Sequence, residues 1–183
     1  MATYAVLDSN NVVIDVVKIA DSDQMVGDTE SESLGQTFCA QIFPHYANSN
    51  VTYKKTSMNT RENQYLNRDG TLGDQSKKLR GNAAQIGGTY DPVNDQFRPK
   101  KEYASYTWNV ENAKWTAPIA IPTVLDDGQD PVVWAWDISW DEDLYQSDNT
   151  KGWIARKFNP KDLELQNRDQ WFDWNGSSWV ERT

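Results

Sequence analysis

The chain has 183 residues and a mass of 21.0 kDa, enough for one ordinary domain or two small lobes. Hydrophobic residues make up only 38% and mean hydropathy is -0.79, yet 12% aromatics, nine of them Trp, exclude a disordered chain. Eighteen Lys and Arg against 27 Asp and Glu leave a net charge of -9, a field that repels phosphate backbones and anionic lipid, so nucleic-acid and membrane partners are not expected.

No stretch approaches the ~18 consecutive apolar residues of a membrane-spanning helix. The opening MATYAVLDSNN lacks a basic region and meets Asp8 before an apolar run develops, so no signal peptide is expected. Cys39 is the single cysteine and His45 the single histidine. An intrachain disulfide and a cysteine-based zinc site are therefore excluded, and any Ser-His-Asp or Cys-His mechanism would run through His45.

Residues 4–20 read as a hairpin: Tyr4–Leu7 is apolar, Asp8–Asn11 is turn chemistry, and Val12–Ile19 is rich in β-branched residues. Leu34, Phe38 and Ile42 then fall on one helical face, with Cys39 beside them. Glu30 and Glu32 suit a helix start and Pro44 supplies a stop. A helix over about 30–43 is expected, laying Leu34, Phe38 and Ile42 against the hairpin. Val51–Thr56 suits a strand. From Asn59 to Gly88 the chain is polar, with Asn67–Gly70 and Gly87–Gly88 as turn signals.

All nine tryptophans lie between Trp108 and Trp179. Tyr90-Asp-Pro-Val-Asn-Asp-Gln-Phe97 and Trp108-Asn-Val-Glu-Asn-Ala-Lys-Trp115 share one spacing, and Trp174-Asn-Gly-Ser-Ser-Trp179 is a shorter relative with an Asn-Gly turn. Each predicts a tight hairpin clasped by its flanking aromatics. Trp136-Asp137 and Trp140-Asp141 read as degenerate copies. Pro99, Pro118, Pro122 and Pro131 punctuate the series. The expected fold is α+β, mainly β: an N-terminal hairpin with one helix, then a series of aromatic-clasped β-hairpins. The expected organisation is an N-terminal lobe at 1–66, a polar connecting arm at 67–88 and a Trp-rich lobe at 89–183.

Chemistry-bearing motifs are sparse. His45 reads as structural, and Cys39 as a small buried hydrophobe. Asp126, Asp127, Asp130, Asp137, Asp141, Glu142, Asp143 and Asp148 read as turn residues and a solvated face. A glycosidase-type carboxylate pair or a calcium loop at Asp126–Asp130 is the weaker reading, the latter lacking EF-hand spacing. No phosphate loop or dinucleotide fingerprint is present, and no cofactor or metal is expected. Two basic islands stand out, Lys77-Lys78-Leu79-Arg80 and Arg98-Pro99-Lys100-Lys101. With Tyr103, Tyr106, Trp108 and Trp115 as aromatic anchors, they are the candidate interaction residues. The tryptophans also suit stacking against sugars.

Tyr4–Ile14, Lys54–Arg61 and Leu79–Asp91 resemble small proteins of marine tailed bacteriophages, those of cyanobacterial phages above all. Asp95–Phe97, Tyr103–Asn109, Trp115–Pro118 and Asp148–Trp153 continue the resemblance in the same order. It implies a non-enzymatic virion protein, an accessory on the capsid exterior or tail. Its partners would be other virion proteins or copies of itself. It implies no catalytic residues. The segment after Pro122 departs from the shorter members. A carbohydrate-binding module for host recognition is the alternative reading, and an effector acting inside the infected cell is a third.

Overall fold

The computed structural model describes residues 1–43, 46, 49–124, 135–158 and 170–182. Pro44, His45, Asp126, Asp127, Asp130 and Pro131, singled out in the sequence, lie outside the described residues. The fold is mainly β, 39% strand against 16% helical, with one main helix and several small antiparallel sheets. The chain divides into two units, one of Met1–Glu102 with Trp108–Trp115, the other of Tyr103–Thr107 with Thr116–Thr183. The residues of the expected arm, 67–88, belong to the first unit.

The first unit is organised around strand β1 (Ala2–Leu7), every residue of which is buried. It is the middle of a three-stranded sheet, between β2 (Val13–Ile19) and β5 (Thr52–Thr56), antiparallel to both. The β1–β2 turn forms because Asp8 Oδ1 accepts from the N–H groups of Asn10 and Val12, while Asn11 takes a left-handed φ of 60°. Ala2, Tyr4 and Val6 join Val17, Ile19, Tyr53 and Cys39 in one core cluster. Ala5 and Leu7 join Val13, Ala84, Tyr90 and Phe97 in the other. Burial on both faces accounts for the unbroken apolar run that opens the chain.

Helix α1 (Glu32–Ile42) starts at Ser31, whose Oγ accepts from Leu34 N–H, and its inward face is Gly35 and Cys39. The expected face is corrected: Phe38 is partly buried, but Leu34 and Ile42 are 38% and 42% exposed. The helix is rotated because Tyr4 approaches its backbone at Gly35, which leaves no room there for a larger side chain. Between β2 and α1 lies a small ribbon, β3 (Met25–Val26) with β4 (Thr29–Glu30).

After β5 come β6 (Thr60–Arg61) and β7 (Gln64–Tyr65), joined through Glu62 and Asn63, both at positive φ as a type I′ hairpin requires. This polar stretch is fixed by polar pins. Asn82 donates to the carbonyls of Phe97 and Ala113 and accepts from Glu62 N–H. Thr60 and Thr56 hydroxyls accept from Leu79 and Ala84 N–H groups.

The aromatic repeats form the expected clasps. In β8 (Thr89–Asp91) and β9 (Gln96–Arg98), Tyr90 pairs with Phe97 at 5.3 Å. In β10 (Thr107–Asn109) and β11 (Lys114–Thr116), Trp108 meets Trp115 edge-on at 5.1 Å. Asp91 and Asn109 cap the two turns from the same repeat position, and Asp95 and Ala113 share a left-handed φ of 49° and 47°.

The second unit holds a four-stranded antiparallel sheet in chain order: β12 (Ala135–Trp140), β13 (Trp153–Phe158), β14 (Gln170–Trp174) and β15 (Trp179–Glu181). Trp174 and Trp179 are direct cross-strand partners at 5.1 Å, the third clasp. Trp136 and Trp140 are corrected from degenerate hairpins to two positions of β12. Asp141 is the N-cap of a short helix, α2 (Glu142–Ser147), its Oδ1 accepting from Leu144 N–H.

Candidate interaction surface

The candidate basic and aromatic residues sort by what their side chains already hold. Arg80 is spent internally: its side chain is 8% exposed and its guanidinium donates to Asp95 at 2.7 Å, Glu32 at 3.0 Å and the Lys55 carbonyl at 2.8 Å. Tyr90 O–H donates to the same Asp95. Burial works against the Arg80 charge, but hydrogen bonds and attraction from Glu32 and Asp95 outweigh it and keep the group fully protonated. Arg98 is likewise tied, to the Asp91 carboxylate, with its guanidinium 5.3 Å from the Trp108 ring centre. Its Nε is buried without a hydrogen-bond partner among the described residues.

Trp108 and Trp115 are also committed. Their indole N–H groups donate to Gln96 Oε1 at 3.2 Å and the Pro99 carbonyl at 2.8 Å. Lys101 lies over the Trp115 ring at 5.4 Å, and Lys100 is exposed. Tyr103 and Tyr106 belong to the second unit, 4.9 Å apart, with Tyr106 edge-on to Trp140. Of the ten candidates, Tyr103 and Tyr106 thus fall in the second unit and the other eight in the first.

Lys77 and Lys78 differ from the rest. Both are exposed and both line a cleft of about 720 Å³ in the first unit, which Lys18 of β2 and Lys55 of β5 also line. Lys18 and Lys55 lie near the same end of the two outer strands of the sheet, Thr3 of β1 pairing with Lys18 on one side and with Thr56, the neighbour of Lys55, on the other. A 3₁₀ turn at Gln75–Lys77 supplies the opposite wall, capped by Asp74 Oδ1, which accepts from Ser76 N–H and O–H.

Four lysines therefore face two carboxylates, Asp21 and Glu30, in the same cleft. Glu30 is paired with Lys55, and Asp21 with the Met1 amine at 2.6 Å. Lys77 is 3.8 Å from Asp74, while Lys18 and Lys78 have no ion-pair partner among the described residues. A locally positive recess stands in a chain of net charge -9. Such a recess attracts an acidic segment and orients it. Sequence reading found Lys77 and Lys78 but missed Lys18 and Lys55, whose membership depends on strand pairing.

Cys39 is fully buried, and burial pushes its thiol up to about 11, so it is not a ready nucleophile. Among the described residues no three His, Cys, Asp or Glu side chains come together as a metal site, and no helix is long and apolar enough to cross a membrane. No protein-family model matches the chain, and neither a curated protein nor a solved structure matches it.

Proposed function

We propose that this protein is a non-enzymatic structural component of a tailed-bacteriophage particle, an accessory on the capsid exterior or tail that assembles through protein–protein contacts. The observation that carries the reading is the lysine-lined cleft of the first unit, in a chain whose net charge is -9. Copies of such a chain repel one another and repel packaged DNA, so attachment needs a local region of opposite sign. Lys18, Lys77 and Lys78 supply it, and an acidic segment of a neighbouring virion protein is the complementary partner. The sequence resemblance to marine phage proteins points the same way. So does the use of Trp108 and Trp115 as internal clasps with their N–H groups spent, which leaves them poor platforms for a sugar. Mass spectrometry of purified particles, from a phage whose genome carries the gene, tests the reading. The chain is expected at a fixed ratio to the capsid or tail proteins, and its absence from washed particles overturns the proposal.

A further inference from the structure

The two outer edges of the first unit's sheet are finished differently. On β5 the outward backbone groups are taken by side chains. Gln36 Nε2 donates to the Tyr53 carbonyl at 2.7 Å, Lys55 N–H donates to Glu32 Oε1 at 2.9 Å, and Arg80 Nη1 donates to the Lys55 carbonyl at 2.8 Å. Covering of this kind keeps a sheet edge from recruiting another strand.

The register fixes which groups of β2 point outward. Because Tyr53 and Lys55 turn away from β1, it is Thr52, Lys54 and Thr56 that bond to it, through Leu7, Ala5 and Thr3. Ala5 and Thr3 thereby spend their N–H and C=O groups on β5. Their partners on the other side, Val16 and Lys18, therefore face away from the sheet. Val16 N–H donates to Asp15 Oδ1 at 2.7 Å, and Ala20 N–H, just past the strand, donates to Asp23 Oδ2 at 3.1 Å. Near the start of β2, Val13 donates to the Gly88 carbonyl and accepts from Gly87 N–H. The Val16 carbonyl and both Lys18 backbone groups have no partner among the described residues. The open stretch is short and centred on an exposed lysine.

A lysine on an edge strand turns away a neighbouring strand of ordinary composition. It favours an acidic one. Lys18 also lines the cleft with Lys77 and Lys78, so the open backbone and the positive recess meet at one residue. We propose that the β2 edge takes an acidic, extended segment of the partner protein as an added strand, bonded to the Lys18 N–H, the Lys18 carbonyl and the Val16 carbonyl. A carboxylate on the added residue beside Lys18 lies on the same sheet face as the ammonium. The proposal rests on the reading of the cleft as the attachment site and names how the partner is held there. Ladder bonds supply affinity, and the lysines select acidic sequence. An acidic helix fits less well, because its own backbone bonds are internal and leave the β2 edge unused. A second copy of this chain brings another net charge of -9 and is repelled.

The isotope-labelled full chain is titrated with an end-blocked alternating Val-Glu octapeptide and with its fully N-methylated counterpart, equal in charge but without a backbone donor. The first is expected to slow solvent exchange of the Lys18 amide at least about tenfold, and the second to leave it unchanged. Lys18→Gln and Lys18→Pro both lack the charge, and only the proline lacks the edge N–H, at a position where an edge strand tolerates it. Lys18→Pro is expected to bind the first peptide at least about fivefold more weakly than Lys18→Gln, both melting near the wild type. Should Lys18→Pro melt early, the exchange measurement alone decides. No binding of the Val-Glu peptide, an equal response to both peptides, or equal binding by the two variants overturns the proposal. A dimer of the free chain that Lys18→Pro abolishes also overturns it, assigning the edge to a second copy. Loss of cleft-lysine variants from particles with no change at the Lys18 amide overturns the added strand alone and leaves virion attachment standing. Absence of the wild-type chain from particles overturns the virion reading and leaves the peptide result to decide the edge.

Discussion

Gly35 of helix α1 lies directly under the phenol of Tyr4: a Cβ built at position 35 would stand 2.0 Å from Tyr4 Oη and 2.6 Å from its Cζ. The phenol is itself fixed, fully buried and donating to Gln24 Oε1 at 2.8 Å. Burial, reinforced by the Glu32 carboxylate, raises its pKa to about 12. Helix-to-sheet packing therefore depends on the absence of one side chain.

Gly35→Ala is expected to destabilise the first unit by about 1–3 kcal/mol, the usual cost of overpacking, despite alanine's higher helix propensity. Urea unfolding followed by circular dichroism measures it. The loss should shrink in a Tyr4→Phe background, where the nearest clashing atom is gone. Equal losses in both backgrounds would mean that the helix is not held at the distance described.

Arg80 joins three elements, through Glu32 at the start of α1, the Lys55 carbonyl of β5 and Asp95 of the aromatic hairpin. Removing one partner of a fully buried ion pair costs ~3–5 kcal/mol, but Asp95 stays hydrated, so Arg80→Met is expected to cost about 2 kcal/mol. Lys77→Met, whose side chain is 63% exposed, should cost under ~0.5 kcal/mol. The difference between the two unfolding curves is the measurement.

The Glu142 carboxylate accepts from Ser105 O–H at 2.6 Å, Ser105 N–H at 3.0 Å, Gln146 at 2.8 Å and the Trp140 indole at 3.0 Å. The Ser105 hydroxyl is the largest influence. Partial desolvation opposes it, and the remaining bonds help bring the pKa from the usual 4.5 to about 2. A depressed folded-state pKa stabilises above the unfolded value and loses that contribution as the carboxyl takes up its proton. The melting temperature of the second unit should therefore fall from pH 4.5 toward pH 2. Glu142→Gln should melt lower at neutral pH with a flatter profile across that interval. Parallel profiles for the two proteins would contradict the assignment.

Local chemistry was legible in the sequence, and partnership across the fold was not. The β1–β2 hairpin follows from Asp8–Asn11, and the three clasps follow from aromatic spacing with Asp91, Asn109 and Asn175 as turn caps. The helix was readable in extent, but its face was not, because periodicity favours Leu34 and Ile42 whereas Tyr4 demands the glycine face. Helix α2 escaped notice because Trp140-Asp141 looked like a turn, and only the geometry shows Asp141 capping Leu144. Residues 59–88 looked loosely structured because Thr60, Arg80 and Asn82 are polar, and composition cannot reveal that each is bonded in the interior. Of the interaction surface, the basic islands were visible, but the separation of Arg80 and Arg98 from Lys77 and Lys78 depends on carboxylate partners that only the fold brings to them.

The proposed virion role is tested most directly at the lysine-lined cleft. Lys18→Glu, Lys77→Glu and Lys78→Glu combined invert its sign without touching a core residue, and circular dichroism and melting should match the wild type. Particles assembled with this triple variant, quantified by mass spectrometry after washing, are predicted to carry less than about a tenth of wild-type occupancy, with Lys100→Glu and Lys101→Glu combined staying near normal. Wild-type occupancy of the triple variant would contradict the account.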